Sequence, residues 1–73
     1  MKKFVKNLEK HRWRLDELET SLLFALSQSK EFSQLCQIEF RYLDGSFPDS
    51  SDVALALVSL IEKDLVRVVE END

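Results

Sequence analysis

The apolar residues at the start of the chain are spaced like those of a coiled-coil helix. Seven positions are separated alternately by four and three residues, with one histidine among them: Phe4, Leu8, His11, Leu15, Leu18, Leu22 and Ala25. This spacing is that of the a and d positions of a heptad repeat. Neither Gly nor Pro interrupts residues 1–44. The pattern therefore predicts a long helix over about residues 3–28, roughly 37 Å in length at 1.5 Å per residue.

A helix of this length would extend beyond a small domain. The chain has 73 residues, which is enough for a single domain, 1–73. A domain of this size buries only about 60% of the surface of its unfolded chain. One Cys and one His supply neither a disulfide nor a zinc site, so oligomerisation remains as a source of stability. We therefore predict a homodimer paired through the protruding half of the helix. The predicted dimer interface consists of Phe4, Leu8, His11, Leu15 and Leu18.

The single histidine lies within this predicted interface. A polar residue at such a position can fix the register of a helix pair, which is the role that we favour for His11. The alternative is a pH-sensitive dimer switch, because histidine titrates near neutral pH.

The net charge of -4 is divided unevenly along the chain. Residues 1–14 contain six basic residues and one acid, whereas residues 15–73 contain four basic residues and thirteen acids. This asymmetry favours an electrostatic contact at the N-terminal arm. The candidate basic binding surface consists of Lys2, Lys3, Lys6, Lys10, Arg12, Trp13 and Arg14. Trp13 either packs at the dimer interface or belongs to this surface, which could bind nucleic acid, anionic lipid or an acidic protein.

Residues 31–43 fit two patterns. The stretch from Phe32 to Cys36 has helical spacing, whereas apolar and charged residues alternate from Ile38 to Tyr42 as in a strand. We favour a helix throughout, because no turn signal separates the two patterns. Cys36 would then lie in an apolar stripe, which predicts a buried structural thiol.

The second half of the chain is easier to interpret. The only Gly and the only Pro lie in a predicted loop at 44–50, and Asp49 or Ser50 is placed to cap a third helix. The core stripe of this helix consists of Val53, Leu57, Leu60 and Ile61. The helix is apolar on almost every side, which suggests that a partner or a second copy covers it. The β-branched run at 65–70 predicts a short strand.

The segment SSDVALALVSLIEKDLVRVVE resembles the third helix and first wing strand of winged helix-turn-helix domains. Within that class the chain resembles the PadR-like regulators over residues 29–70. The residues that carry the resemblance are Gly45, Phe47, Pro48, Ser50, Ala56, Leu57, Leu60, Leu65 and Val66. It implies a dimer, a long dimerisation helix and, in most members of the family, a DNA-binding repressor.

The chain departs from the winged-helix pattern in three ways. Asp64 stands where Gly usually ends the helix, and no second wing strand follows the strand at 65–70. The expected recognition helix, from Ser50 to Leu60, contains no Lys or Arg and begins beside two aspartates. Because phosphate contacts by Lys and Arg dominate DNA affinity, this helix would repel a duplex.

Together these patterns predict a mainly α protein. A long, partly protruding helix with a basic arm occupies residues 1–28. A winged-helix-like body at 29–70 ends in a short β-strand with a truncated wing, and a frayed tail follows at 71–73.

No sequence motif indicates catalysis. Phosphate-binding, nucleophile-elbow and zinc-protease motifs are absent, and Cys36 and His11 fall on separate predicted elements. The carboxylates Asp16, Glu17 and Glu19 are interpreted as a solvated helix face. We expect no catalytic residues, no metal, no cofactor and no small-molecule substrate.

The predicted function is that of a small, non-enzymatic, homodimeric regulatory protein that binds another protein. The alternative is a DNA-binding transcriptional regulator that contacts DNA through its basic N-terminal helix. No apolar run reaches the length of a membrane span. Charged residues occupy the positions where a secretion signal would have its apolar core, so we expect a cytoplasmic protein.

Overall fold

Two strands and three helices make up the regular structure of the residues that the computed structural model describes, 2–7 and 14–70. In chain order the elements are β1 (Lys2–Lys6), α1 (Glu17–Ala25), α2 (Phe32–Leu35), α3 (Ser50–Glu62) and β2 (Val66–Glu70). The predicted tail at 71–73 lies outside the described residues.

The predicted long N-terminal helix is wrong. Residues 2–6 form a strand, and the first helix begins only at Glu17. Backbone partners on two sides hold Phe4 and its neighbours extended, because β1 pairs with β2 and also forms a bridge at Lys30. Asp16 then starts α1 with a capping box, which fixes the N-terminus of this helix at that position. The heptad spacing therefore spans two elements of different type.

The sheet joins the two ends of the described chain. β1 and β2 run antiparallel, with Lys2 opposite Glu70 and Lys6 opposite Val66. The segment at Lys30 lies on the other side of β1. The strand predicted at 65–70 is confirmed, but it does not lack a partner as the truncated wing implied. The N-terminal segment that was expected to be helical pairs with it instead.

Residues 31–43 contain one helical turn and not a long helix. α2 ends at Leu35, and residues 38–42 follow without regular structure. Ile38, Phe40 and Tyr42 pack against the core as the alternating pattern suggested, although no strand forms there. The prediction of a buried Cys36 is also wrong, because Leu35 takes the fully buried position and Cys36 is exposed.

The third helix forms where it was predicted. Its N-cap is Asp49, and it buries four apolar side chains in the core: Val53, Ala56, Leu57 and Leu60. The helix ends at Lys63, after which Asp64 adopts φ 59°, a left-handed conformation that Asp tolerates better than most residues. This turn directs the chain into β2.

The core lies where the two long helices meet the inner side of β2. Leu22 and Leu26, at the C-terminal end of α1, are fully buried with Leu35 and Leu60. Val66, at the start of β2, completes this cluster. The C-terminal part of the predicted heptad thus packs into the domain's own core.

Candidate functional site

A groove runs between the start of α1 and the middle of α3. Its volume is about 440 Å³. The residues that line it come from α1 and its N-cap, from α3 and from the segment between the two helices: Asp16, Glu17, Leu18, Glu19, Tyr42, Asp52, Leu55, Ala56 and Ser59. Four of these described residues are carboxylates and none is basic, so the groove is acidic.

Helix capping concentrates the carboxylates at the groove. Asp16 Oδ1 accepts the Glu19 N–H at 2.7 Å, and Glu19 Oε1 accepts the Asp16 N–H at 3.3 Å. Asp49 and Asp52 form the same reciprocal pair at the start of α3. A capping box places acidic side chains in the first turn, where the helix dipole also favours them.

Glu19 is a structural member of the groove. Only 6% of the residue is exposed. Its Oε2 accepts hydrogen bonds from Lys63 Nζ and from Ser59 Oγ, both at 2.9 Å. Burial acts to raise the pKa of Glu19, but the hydrogen bonds from Lys63, Ser59 and the Asp16 N–H outweigh it and hold that pKa below its usual value. Glu19 is therefore ionised near neutral pH, and its Oε2 atom is engaged by Lys63 and Ser59.

Tyr42 links the loop before α3 to the acidic rim. Its hydroxyl donates to Asp52 Oδ2 at 3.2 Å. Partial burial raises the pKa of Tyr42, and the hydrogen bond to Asp52 raises it further. The negative charges of Asp52, Asp16 and Asp49 act in the same direction on this pKa. Carboxylates from both helix starts therefore act together to raise the pKa of this phenol.

The α3 side of the groove exposes one large apolar side chain. Leu55 is 71% exposed, although it lies on the helix that supplies most of the core. Ala56, next to it in the groove, is buried, as is Leu18 on α1. Glu17 and Asp16 are exposed on the opposite wall. An exposed leucine thus faces solvent beside carboxylates whose charge no basic side chain of the described groove neutralises.

The residues of the predicted dimer interface do not share one helix. Phe4 lies on β1, Leu15 precedes α1, and both are partly buried against the core. Leu18 is on α1 and is buried inside the same core. Leu8 and His11 lie outside the described residues, as does the proposed pH switch at His11.

The residues of the predicted basic surface are also divided. Lys2, Lys3 and Lys6 lie on β1, where alternation places Lys3 on the opposite face from the other two. Arg14 is exposed before α1, and its carbonyl accepts a hydrogen bond from Lys63 Nζ at 3.1 Å. Lys10, Arg12 and Trp13 lie outside the described residues.

The sequence interpretation missed the groove because it treated the acids separately. It took Asp16, Glu17 and Glu19 for a solvated helix face, whereas Glu19 is buried and the other two line the groove. The usable signal was the repeated capping pattern, with an acid three residues after Asp16 and again three residues after Asp49. That pattern identifies the acids at each helix start, but they line one groove only because the start of α1 packs against α3.

Residues 2–7 and 14–70 contain no group of three or more His, Cys, Asp or Glu side chains that could hold a metal ion. No helix within the same ranges is long and apolar enough to cross a membrane.

Comparison with known proteins gives no family assignment. No family model matches the chain, and neither the curated proteins nor the solved structures contain a match.

Proposed function

We propose that this chain is a non-enzymatic domain that acts by binding another protein. The groove between α1 and α3 binds a partner segment that carries both basic and apolar side chains. The observation that carries the proposal is the exposed Leu55 beside the carboxylates of Glu17 and Asp52.

Two physical arguments support a basic, partly apolar partner. Large exposed apolar side chains near charged rims are typical of protein-binding surfaces, and Leu55 is 71% exposed in a groove that Glu17 and Asp52 also line. The body of the protein is strongly acidic, since residues 15–73 contain thirteen acids and four basic residues. An acidic body accelerates the approach of a basic partner and disfavours an acidic one.

The same contacts argue against a catalytic role for Glu19 and Tyr42. Catalysis by carboxylates requires a proton donor or an unpaired base near the substrate. Glu19 is held by Lys63 and Ser59, and Tyr42 already donates its proton to Asp52. We therefore assign these groups to the structure of the groove, and the outer carboxylates to partner binding.

The DNA-binding alternative has no specific observation in its favour. It required the basic residues of the N-terminal arm to lie along one helix. Lys2, Lys3 and Lys6 lie instead on a strand, and Lys6 faces the same side of β1 as the partly buried Phe4. We expect a cytoplasmic protein, for which one exposed free thiol at Cys36 is ordinary.

The proposal is tested with a short helical peptide of Leu and Lys, against a matched peptide of Leu and Glu. We expect the Lys peptide to shift the amide resonances of Glu17, Leu55 and Ser59 in NMR titrations. Raising the salt concentration should weaken the binding, because exposed charges are screened. The Glu peptide should leave these resonances unchanged.

Two pairs of variants locate the binding surface. Glu17→Lys should weaken binding of the Lys peptide about fivefold, since it reverses an exposed charge in the groove. Glu62→Lys makes the same change on α3 outside the groove and should have a smaller effect. Leu55→Ser should also weaken binding, whereas Val58→Ser should not. Equal effects within each pair would disprove the assignment of binding to the groove.

A further inference from the structure

The segment at 38–42 alternates like a strand but has no strand beside it in the described structure. Ile38, Phe40 and Tyr42 are partly buried against the core, whereas Glu39 and Arg41 are exposed. The five residues contain neither a turn nor a bend. Burial with a period of two and no bend is typical of an extended backbone. The alternation in the sequence therefore describes the shape of this segment, although its pairing is missing.

One edge of this segment is occupied. The Tyr42 N–H donates to the Ser46 C=O at 2.8 Å, and the Gly45 N–H donates to the Tyr42 C=O at 2.9 Å. The backbone groups of Tyr42 therefore point towards the turn that follows it. Because backbone groups alternate in direction along an extended chain, those of Glu39 and Arg41 point to the opposite edge.

The opposite edge is open. Within residues 2–7 and 14–70, no hydrogen bond reaches the backbone N–H or C=O groups of Glu39 or Arg41. Both residues are exposed, and unpaired backbone groups are almost always in contact with water. A hollow of about 410 Å³, lined by Glu39, Phe40, Arg41 and Phe47, leaves room beside the segment. The two residues that would supply hydrogen bonds are thus accessible to a second strand.

The side chains of Glu39 and Arg41 carry opposite charges on one face of the segment. They are two residues apart, and neither forms an ion pair or a side-chain hydrogen bond within the described ranges. The Arg41 guanidinium lies over the Phe47 ring, 4.7 Å from its centre, and this contact restricts its movement. Both charges are therefore available to a partner.

We propose that residues 39–41 pair antiparallel with the same residues of a second copy of this chain. Glu39 lies opposite Arg41 of the second copy, and Arg41 lies opposite its Glu39. The two Phe40 residues face each other on the two-fold axis. Such an interface is symmetric and closed, as in most homodimers. None of these residues lines the groove, so the dimer does not depend on the proposed function.

Charge selects this register. Glu39 and Arg41 of the two copies form two hydrogen-bonded pairs, which supply about four backbone hydrogen bonds and bring together two ion pairs. A shift of two residues in one direction would place Arg41 opposite Arg41, and a shift in the other direction would place Glu39 opposite Glu39. Like charges directly opposite each other destabilise a sheet, whereas opposite charges stabilise it. The segment is therefore complementary to itself in this antiparallel register.

Aromatic side chains at the axis add to the contact. Phe40 is only partly buried, and its ring makes an edge contact with Tyr42 at 5.3 Å between centres. In the dimer the two Phe40 side chains form a cross-strand aromatic pair, which stabilises a sheet. Because the paired segment is short, we expect a weak dimer that forms with rising concentration.

The test is sedimentation of the full chain from about 10 μM to about 1 mM, a range suited to weak association. We expect the wild type to dimerise within this range. Glu39→Arg and Arg41→Glu should each weaken the dimer about tenfold or more, because like charges then face each other in both pairs. Arg67→Glu makes the same charge reversal at an exposed position on β2 and should leave the dimer nearly unchanged.

Combining the two changes tests the register. The double variant with Glu39→Arg and Arg41→Glu exchanges the two charges, so it should recover the dimer. An equimolar mixture of the two single variants should form a heterodimer, since opposite charges then meet in both pairs. Circular dichroism establishes that each variant is folded. A wild type that stays monomeric, single variants that dimerise as the wild type does, or a folded double variant or mixture that stays monomeric would each overturn the proposal.

Discussion

The helices α1 and α3 start with the same capping arrangement but connect it to different parts of the protein. In α1 the reciprocal carboxylate is Glu19, which reaches past the first turn to Lys63 and Ser59 on the far helix end. In α3 it is Asp52, which is one methylene shorter and contacts Tyr42 in the preceding loop. The cap with the longer Glu19 side chain thus joins two helices, whereas the cap with the shorter Asp52 side chain holds a loop.

The largest effect should come from removing the longer carboxylate. Glu19→Ala removes the carboxylate partner of Lys63 from a half-buried site, and we expect a loss of about 2 kcal/mol in the free energy of unfolding. Asp52→Ala removes only the reciprocal cap and the Tyr42 contact, and should cost less than about 1 kcal/mol. Urea denaturation of both variants measures the difference. Equal losses would mean that the link between Glu19 and Lys63 adds nothing beyond capping.

The contact of Glu19 with Lys63 also predicts a pH dependence of stability. Folding lowers the pKa of Glu19, so the ionised carboxylate stabilises the folded protein. This contribution is complete above the ordinary pKa of 4.5 and is lost as the pH falls through the lowered folded value. Glu19→Gln retains a capping side chain but cannot ionise.

The measurement is the free energy of unfolding of wild type and Glu19→Gln from neutral pH to acid. The difference between the two proteins should shrink as the pH falls below 4.5. A difference that stays constant with pH would contradict an ionised Glu19 in the folded state.

The smallest effect should appear at the cap of α3. Tyr42→Phe removes one hydrogen bond at the edge of the groove and should change stability little. A more sensitive readout is the titration of the phenol in the wild type, whose pKa should exceed 10.0. Asp52→Asn removes both the charge and the accepting carboxylate, and should move the pKa of Tyr42 back towards 10.0. An unchanged titration by ultraviolet absorbance would show that Asp52 does not act on Tyr42.

Local chemistry was sufficient to predict the second half of the chain. The loop at 44–50, the Asp49 cap and the core stripe of α3 all depend on neighbouring residues, and the structure contains each of them. The strand at Val66–Glu70 follows from its β-branched run in the same way.

The first part of the chain could not be predicted in this way. The spacing from Phe4 to Leu15 fits a helix, but Phe4 is extended because its partners, Lys30 and Val68, are distant in sequence. Periodicity records which residues face inward and not which backbone groups will pair. The groove has the same origin, since its two walls become neighbours only after α1 packs on α3.

The pairing of Lys2 with Glu70 has a consequence for how the protein folds. Forming this sheet closes a loop that contains most of the chain, because β1 and β2 lie at opposite ends of the sequence. Loop-closure entropy makes such contacts slow to form, whereas α1 and α3 depend on contacts close in sequence. The sheet is therefore expected to assemble after the helices, in a step with high contact order. Because α3 leads directly into β2, packing of the helices would position β2 first. β1 would then pair with β2 in the last step.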